Sequence, residues 1–112
     1  MKIRWNIWLE KEDSVVLSLW RVALLTAIAD TGSINQAAAR MEVPYRIAWQ
    51  KIQEMETLLG ETLVTTTTGG SGGGGSQLTP TAQTYVAQFE QLQEQVEPFL
   101  QEQFTAVFGD SL

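Results

Sequence analysis

Gly32, Pro44 and Gly60 punctuate a run of strong helix formers, and their spacing constrains the fold more than any other feature of the chain. Gly32 suits the residue just past a helix, because it takes a left-handed backbone without a Cβ clash. After it comes Asn35 as an expected N-cap, then Gln36-Ala37-Ala38-Ala39-Arg40-Met41, all good helix formers. Glu42-Val43 interrupts this pattern. Pro44 fits the first turn of the next helix, where its missing N–H costs nothing. That helix is expected from Tyr45 to about Leu59 and stops at Gly60. Two helices joined by a turn of about three residues, with alanines where they must approach closely, outline a helix-turn-helix.

On a helical wheel, Ala48, Ile52, Met55 and Leu59 of the second of these helices share one stripe and should be buried. Arg46, Gln50, Gln53 and Thr57 point the opposite way, with Tyr45 and Trp49 on one flank and Lys51 and Glu54 towards the other. Arg and Gln carry forked donors and acceptors that match guanine and adenine edges in the major groove of DNA. Arg46, Gln50 and Gln53 are therefore candidate base-reading residues. Arg40 and Lys51 are candidate phosphate contacts, or ordinary surface charges. Asn35 and Gln36 open the preceding helix, whose N-terminal N–H groups suit an oxyanion; for Asn35, capping alone also explains its place. Tyr45 and Trp49 either meet DNA or pack on a neighbouring element. Glu54 counts against DNA, because phosphates repel a carboxylate.

The remaining segments frame this unit. Ile3, Trp5, Ile7 and Leu9 alternate with Arg4, Asn6, Trp8 and Glu10, the period of a strand. Lys11–Ser14 reads as a turn and Val15-Val16-Leu17 as a short partner strand. Trp5, Trp8 and Trp20 are read as packing residues. Ser18 is the expected cap of a helix over about Leu19 to Asp30, with Val22, Leu25 and Ala29 on its stripe and Leu24 and Ile28 beside them. Beyond Gly60, Leu63–Thr67 and Gln77-Leu78 flank GGSGGGGS as two strands of a hairpin. Glycine-rich backbone at its tip, including Gly70, Ser71 and Gly72, can approach a phosphate or a groove wall. Thr79 and Pro80 begin a last helix, with Pro98 expected to kink or split it. Its apolar seam, Tyr85, Phe89, Leu92, Val96 and Phe99, steps by four and three residues and suits pairing with a second copy, or else serves in part as the domain's own core. Phe104, Val107 and Phe108 extend that face.

Composition narrows the function. The 112 residues suit one domain, read as an N-terminal hairpin (1–17), a three-helix core (18–60), a wing (61–79) and a C-terminal helix (80–108). The fold class is mainly α with small β, a winged helix-turn-helix. With no Cys and no His, disulfides, thiolate chemistry and the commonest general base are excluded. The glycine run lacks the context of a nucleotide-binding loop, so no enzyme, no cofactor and no metal are expected. Neither a membrane span nor a signal-peptide core is present. A cytoplasmic, prokaryotic location is expected. The net charge of −6 is unevenly spread: all seven basic residues lie at or before Lys51, which leaves that half at +2 and the rest at −8. A polyanion would meet the first half. The overall negative charge and the uncharged wing also motivate a different reading, a protein–protein interaction module on the same scaffold.

Several of these motifs occur together in a known group. Gly32-Ser33, the alanines 37–39, Tyr45, Ala48-Trp49, the TGG…GGGG wing and Leu78-Thr79-Pro80 resemble the winged helix-turn-helix of LysR-type regulators. More narrowly, they resemble the DNA-binding domain of ModE-type, molybdate-responsive regulators, whose N-terminal strand the first ten residues also resemble. The resemblance implies a homodimeric transcriptional regulator that binds double-stranded DNA. Relatives often have Lys at the position of Ser71, Arg at that of Thr66 and Ser at that of Pro44, so two phosphate contacts of the family are missing. ModE proteins bind molybdate in a separate C-terminal domain, and no molybdate site is expected in this chain.

Overall fold

The computed structural model describes residues 1–67 and 75–109. Eight elements follow in the order β1 (Trp8–Lys11), β2 (Ser14–Ser18), α1 (Leu19–Thr31), α2 (Ile34–Arg40), α3 (Tyr45–Leu59), β3 (Val64–Thr67), β4 (Gly75–Leu78) and α4 (Pro80–Phe108). The two strand pairs form separate antiparallel hairpins. Mainly helical content with a small hairpin on either side of the three-helix core agrees with the expected fold class.

The N-terminal hairpin is shorter than the alternation suggests. Pairing runs only from Trp8↔Ser18 to Lys11↔Ser14, with an irregularity between Leu9 and Glu10. Ser18 has to leave the strand to cap α1, so β2 offers no partner for residues before Trp8. The alternation persists without pairing: Ile3, Trp5 and Ile7 are half-buried, whereas Arg4 and Asn6 are exposed. Residues 1–4 run beside the far part of α4 and share a groove with Glu97, Gln101 and Phe104. The turn itself places Glu12 and Asp13 at φ 54° and 62°, the two-residue geometry that matches strand twist. Trp8 is not a packing residue. It lies on the outer side of the strand, half exposed, with its indole N–H donating to Glu10 at 2.8 Å.

Ser18 caps α1 by accepting from the Arg21 N–H, and Gly32 closes it at φ 70° with its N–H on the Ile28 carbonyl. The α1 face is broader than one stripe. Val22, Leu24, Leu25, Ala27 and Ile28 are all buried, because α2, β2, β4 and α4 pack around the helix. Ala29, expected on the stripe, is exposed and faces none of them.

Ser33, not Asn35, caps α2: its hydroxyl accepts from the Gln36 N–H at 3.1 Å. Buried Ile34 must already be helical to reach the core, which moves the cap to the residue before it. At the other end Glu42 adopts φ 59°, and the Val43 and Glu42 N–H groups return to the Ala38 and Ala39 carbonyls. This is the bonding of a left-handed helix stop, made here without glycine. Pro44 stands at the N-cap of α3, one residue earlier than expected, with extended ψ 149° and no side-chain cap. The α3 stripe is as expected, with Ala48, Ile52 and Met55 buried and Leu59 packed against the core.

The second hairpin pairs Val64↔Leu78 through Thr67↔Gly75. The start of β4 is tied to the α1–α2 corner, where the Ser76 N–H donates to the Gly32 carbonyl at 2.8 Å. A Cβ on Gly75 would lie 3.2 Å from that same oxygen, so glycine lets the strand come this close. Thr79 caps α4 by accepting from the Ala82 N–H and donates to the Thr62 carbonyl.

α4 is one helix of 29 residues that Pro98 does not split. Proline costs one hydrogen bond from the helix ladder, and it falls where Glu94, Gln95, Glu97 and Pro98 are exposed, so the carbonyl it orphans is open to solvent. The near part of the helix joins the core through Ala82 and Phe89, and the molecule extends to 63 × 28 × 23 Å.

Candidate nucleic-acid interface

α3 presents its outward face along most of its length. Arg46, Gln50 and Thr57 are exposed, and Gln53 is half-buried, its amide donating weakly to Glu56 at 3.4 Å. Tyr45 and Trp49 are each about half exposed, 49% and 48%, so neither is committed to the core. Trp49 and Gln50 border a groove of about 690 Å³ that runs between α3 and the strand residues Ser14 and Val15.

The three cations expected at the DNA-facing surface differ in what surrounds them. Arg40 pairs with Asp30 at 3.1 Å on the surface. Lys51 lies 3.6 Å from Glu54. Arg46, among the described residues, forms no ion pair. Glu54, which should repel DNA, is instead held at 2.8 Å by the Nη2 of Arg21. Two cations therefore surround this carboxylate and offset its charge. Asn35 and Gln36 are exposed at the start of α2. Gly70, Ser71 and Gly72 lie outside the described residues.

Two contributors were not evident from the sequence. Arg21 is 9% exposed and reaches α3 from the first turn of α1. The carboxylate of Glu56 accepts from the Leu63 N–H at 2.8 Å and the Val64 N–H at 3.2 Å, fixing the start of β3 to α3. A Glu in the last turn before Gly60 was the available signal, but what it bonds lies beyond the turn.

On α4 the seam divides. Phe89 is buried in the protomer's own core and Tyr85 packs against it, whereas Val96 is half-buried and Leu92 and Phe99 are exposed at 39% and 59%. Val107 and Phe108 are also exposed. No described helix is long and apolar enough to cross a membrane. Among the described residues no cluster of acidic side chains could hold a metal ion.

Residues 19–83, from the start of α1 into α4, match the family model described as bacterial regulatory helix-turn-helix protein, lysR family. The chain belongs to this family. Within it, the LysR-type domain is 45% identical over 83 residues to the molybdenum transport protein ModE of Herbaspirillum seropedicae, covering 74% of this chain and 31% of that protein. It is 41% identical over 69 residues to the molybdenum-pterin-binding protein MopB of Rhodobacter capsulatus, covering 62% and 26%. The chain thus spans about a third or less of the curated relatives it matches. In fold, this LysR-type domain is similar to the CbnR DNA-binding domain solved with DNA, at TM-score 0.58 and 21% identity over 78% of this chain and 94% of that one. Full-length CbnR with its target DNA gives TM-score 0.60 at 21% identity over 80% and 30%.

Proposed function

We propose that this LysR-type domain binds double-stranded DNA sequence-specifically as a homodimer and so regulates transcription, with α3 in the major groove. The observation that carries the proposal is the outward face of α3. Arg46 and Gln50 stand exposed and Gln53 half-buried on successive turns of one helix, opposite a fully buried Ala48-Ile52-Met55 stripe. Rigid packing behind polar, forked side chains in front is what base reading requires. The two CbnR structures with DNA support it by likeness of fold.

Tyr45 and Trp49 flank the reading face and stack on or wedge against the groove wall. Arg40, Lys51 and the polar start of α2 at Asn35 and Gln36 contribute sequence-independent backbone contacts. Backbone N–H groups at Gly70, Ser71 and Gly72 approach the adjacent phosphates. Pairing of two copies along the far part of α4, through Leu92, Val96 and Phe99, places two copies of α3 about 34–36 Å apart, one turn of DNA. Tyr85 and Phe89 support that seam from within each protomer.

Selection from a random duplex library tests this reading. The wild type should enrich a two-fold symmetric sequence with half-sites one turn apart. Arg46→Glu should abolish the enrichment while leaving the thermal midpoint unchanged. A wild type that enriches nothing at low salt would favour the protein-interaction reading instead.

A further inference from the structure

Arg21 sits where stability alone gives no reason for an arginine. It is the third residue of α1, at the positive end of the helix dipole, where a cation is disfavoured. It is almost fully buried, and its Nη1 has no hydrogen-bond partner among the described residues. Desolvation of such a group is costly, and apolar side chains of similar size in place of both partners of such a pair often do as well or better. What the arginine gains is one directed bond, Nη2 to Glu54 Oε2 at 2.8 Å. Among the described residues this is the single side-chain hydrogen bond between α1 and α3.

On this flank a groove of about 690 Å³ opens between Ser14 and Val15 and the side of α3 that carries Gln50 and Thr57, although β2 and α3 touch elsewhere. The stripe behind α3 is Ala48, Ile52 and Met55, apolar contacts with no directional bond, and Glu56 ties the C-terminal turn of the helix to the start of β3. A guanidinium–carboxylate bond, by contrast, is directional. Glu54 lies one residue past Gln53 and four past Gln50, so a fixed Glu54 fixes the roll of both. The same bond, with Lys51 at 3.6 Å, offsets a negative charge that would otherwise face phosphates.

We infer that Arg21 is a positioning residue for DNA recognition: acting through Glu54, it sets the roll of α3 and hence the sequence discrimination of the domain, while adding little to stability. The inference rests on the DNA-binding reading above.

The test compares Kd for a library-selected duplex with Kd for a scrambled duplex of equal length, by fluorescence anisotropy at fixed salt. Thermal midpoints are measured alongside for wild type, Arg21→Met, Glu54→Gln and the double variant Arg21→Met/Glu54→Leu. Arg21→Met should fold, because Glu54 keeps Lys51 and solvent beside it, yet lose about tenfold in the ratio of the two Kd values, while the double variant should have a midpoint equal to or above that of wild type. The double variant should recover affinity for both duplexes and still lack the ratio. Glu54→Gln leaves Lys51 unopposed, so both duplexes should bind more tightly and the ratio should narrow. A ratio kept within about twofold of wild type across the folded variants overturns the inference and leaves DNA binding standing. If Arg21→Met does not fold, Arg21 is needed for stability and the inference fails on that ground. A wild type that discriminates no duplex overturns both readings together.

Discussion

The outward face of α3 and the seam of α4 are both helical stripes that the fold leaves in solvent, and they differ in chemistry and in how the core uses them. The α3 face is polar with Arg46 as its cation, and Arg46, Gln50 and Thr57 stand exposed while Gln53 is half-buried. The α4 seam is apolar and shared: Phe89 is 2% exposed and belongs to the protomer, while Phe99, further along the same helix, is 59% exposed. A polar face in water costs nothing and is meaningful only through what it can read. A continuous apolar face in water is costly and implies cover. The first suits a polyanion and the second another apolar helix.

The widest effect expected from dividing the seam is at Phe89. Phe89→Ala should cost about 3–5 kcal/mol in urea unfolding, because it opens a cavity in the core. Next comes the α3 face itself. Arg46→Glu should weaken binding to a selected duplex about a hundredfold with no change in thermal midpoint. A third effect probes how the wing is joined to α3: Glu56→Ala leaves the Leu63 and Val64 N–H groups without their acceptor and should cost about 1–3 kcal/mol in stability. The smallest is Phe99→Ala, which should change the stability of the dilute protomer by less than about 0.5 kcal/mol. Phe99→Asp with Leu92→Asp should nonetheless bring the light-scattering mass from about twice 12.4 kDa to the single-chain value. Equal stability costs at Phe89 and Phe99 would erase the distinction between the two parts of α4.

Much of the arrangement was legible because it is local. Ser18, Gly32, Gly60 and Thr79 mark helix ends through bonds to neighbours three or four residues away, and the sequence displays those neighbours. The α3 stripe was legible because one side of that helix meets the core, giving a clean period. α1 was read less well, since elements surround it and Ala29 falls outside a face that periodicity draws too narrowly. The α2 cap moved from Asn35 to Ser33 because burial of Ile34, a tertiary demand, decided between two adequate capping residues. Strand pairing before Trp8 failed for lack of a partner strand, although the alternation of exposed and half-buried residues survived. At the interface the types and spacing of Arg46, Gln50 and Gln53 were readable on one helix. Arg21–Glu54 spans 33 positions, and no local pattern announces it.

The most direct measurement of the central claim is a salt titration of wild type and Lys51→Gln on one selected duplex. DNA recognition through α3 predicts that log Kobs falls linearly with log salt for the wild type. For a dimer, replacing both copies of Lys51 should reduce that slope by about two, at roughly 0.9 for each phosphate that is no longer neutralised. A wild-type slope near zero, or identical slopes for the two proteins, would contradict it.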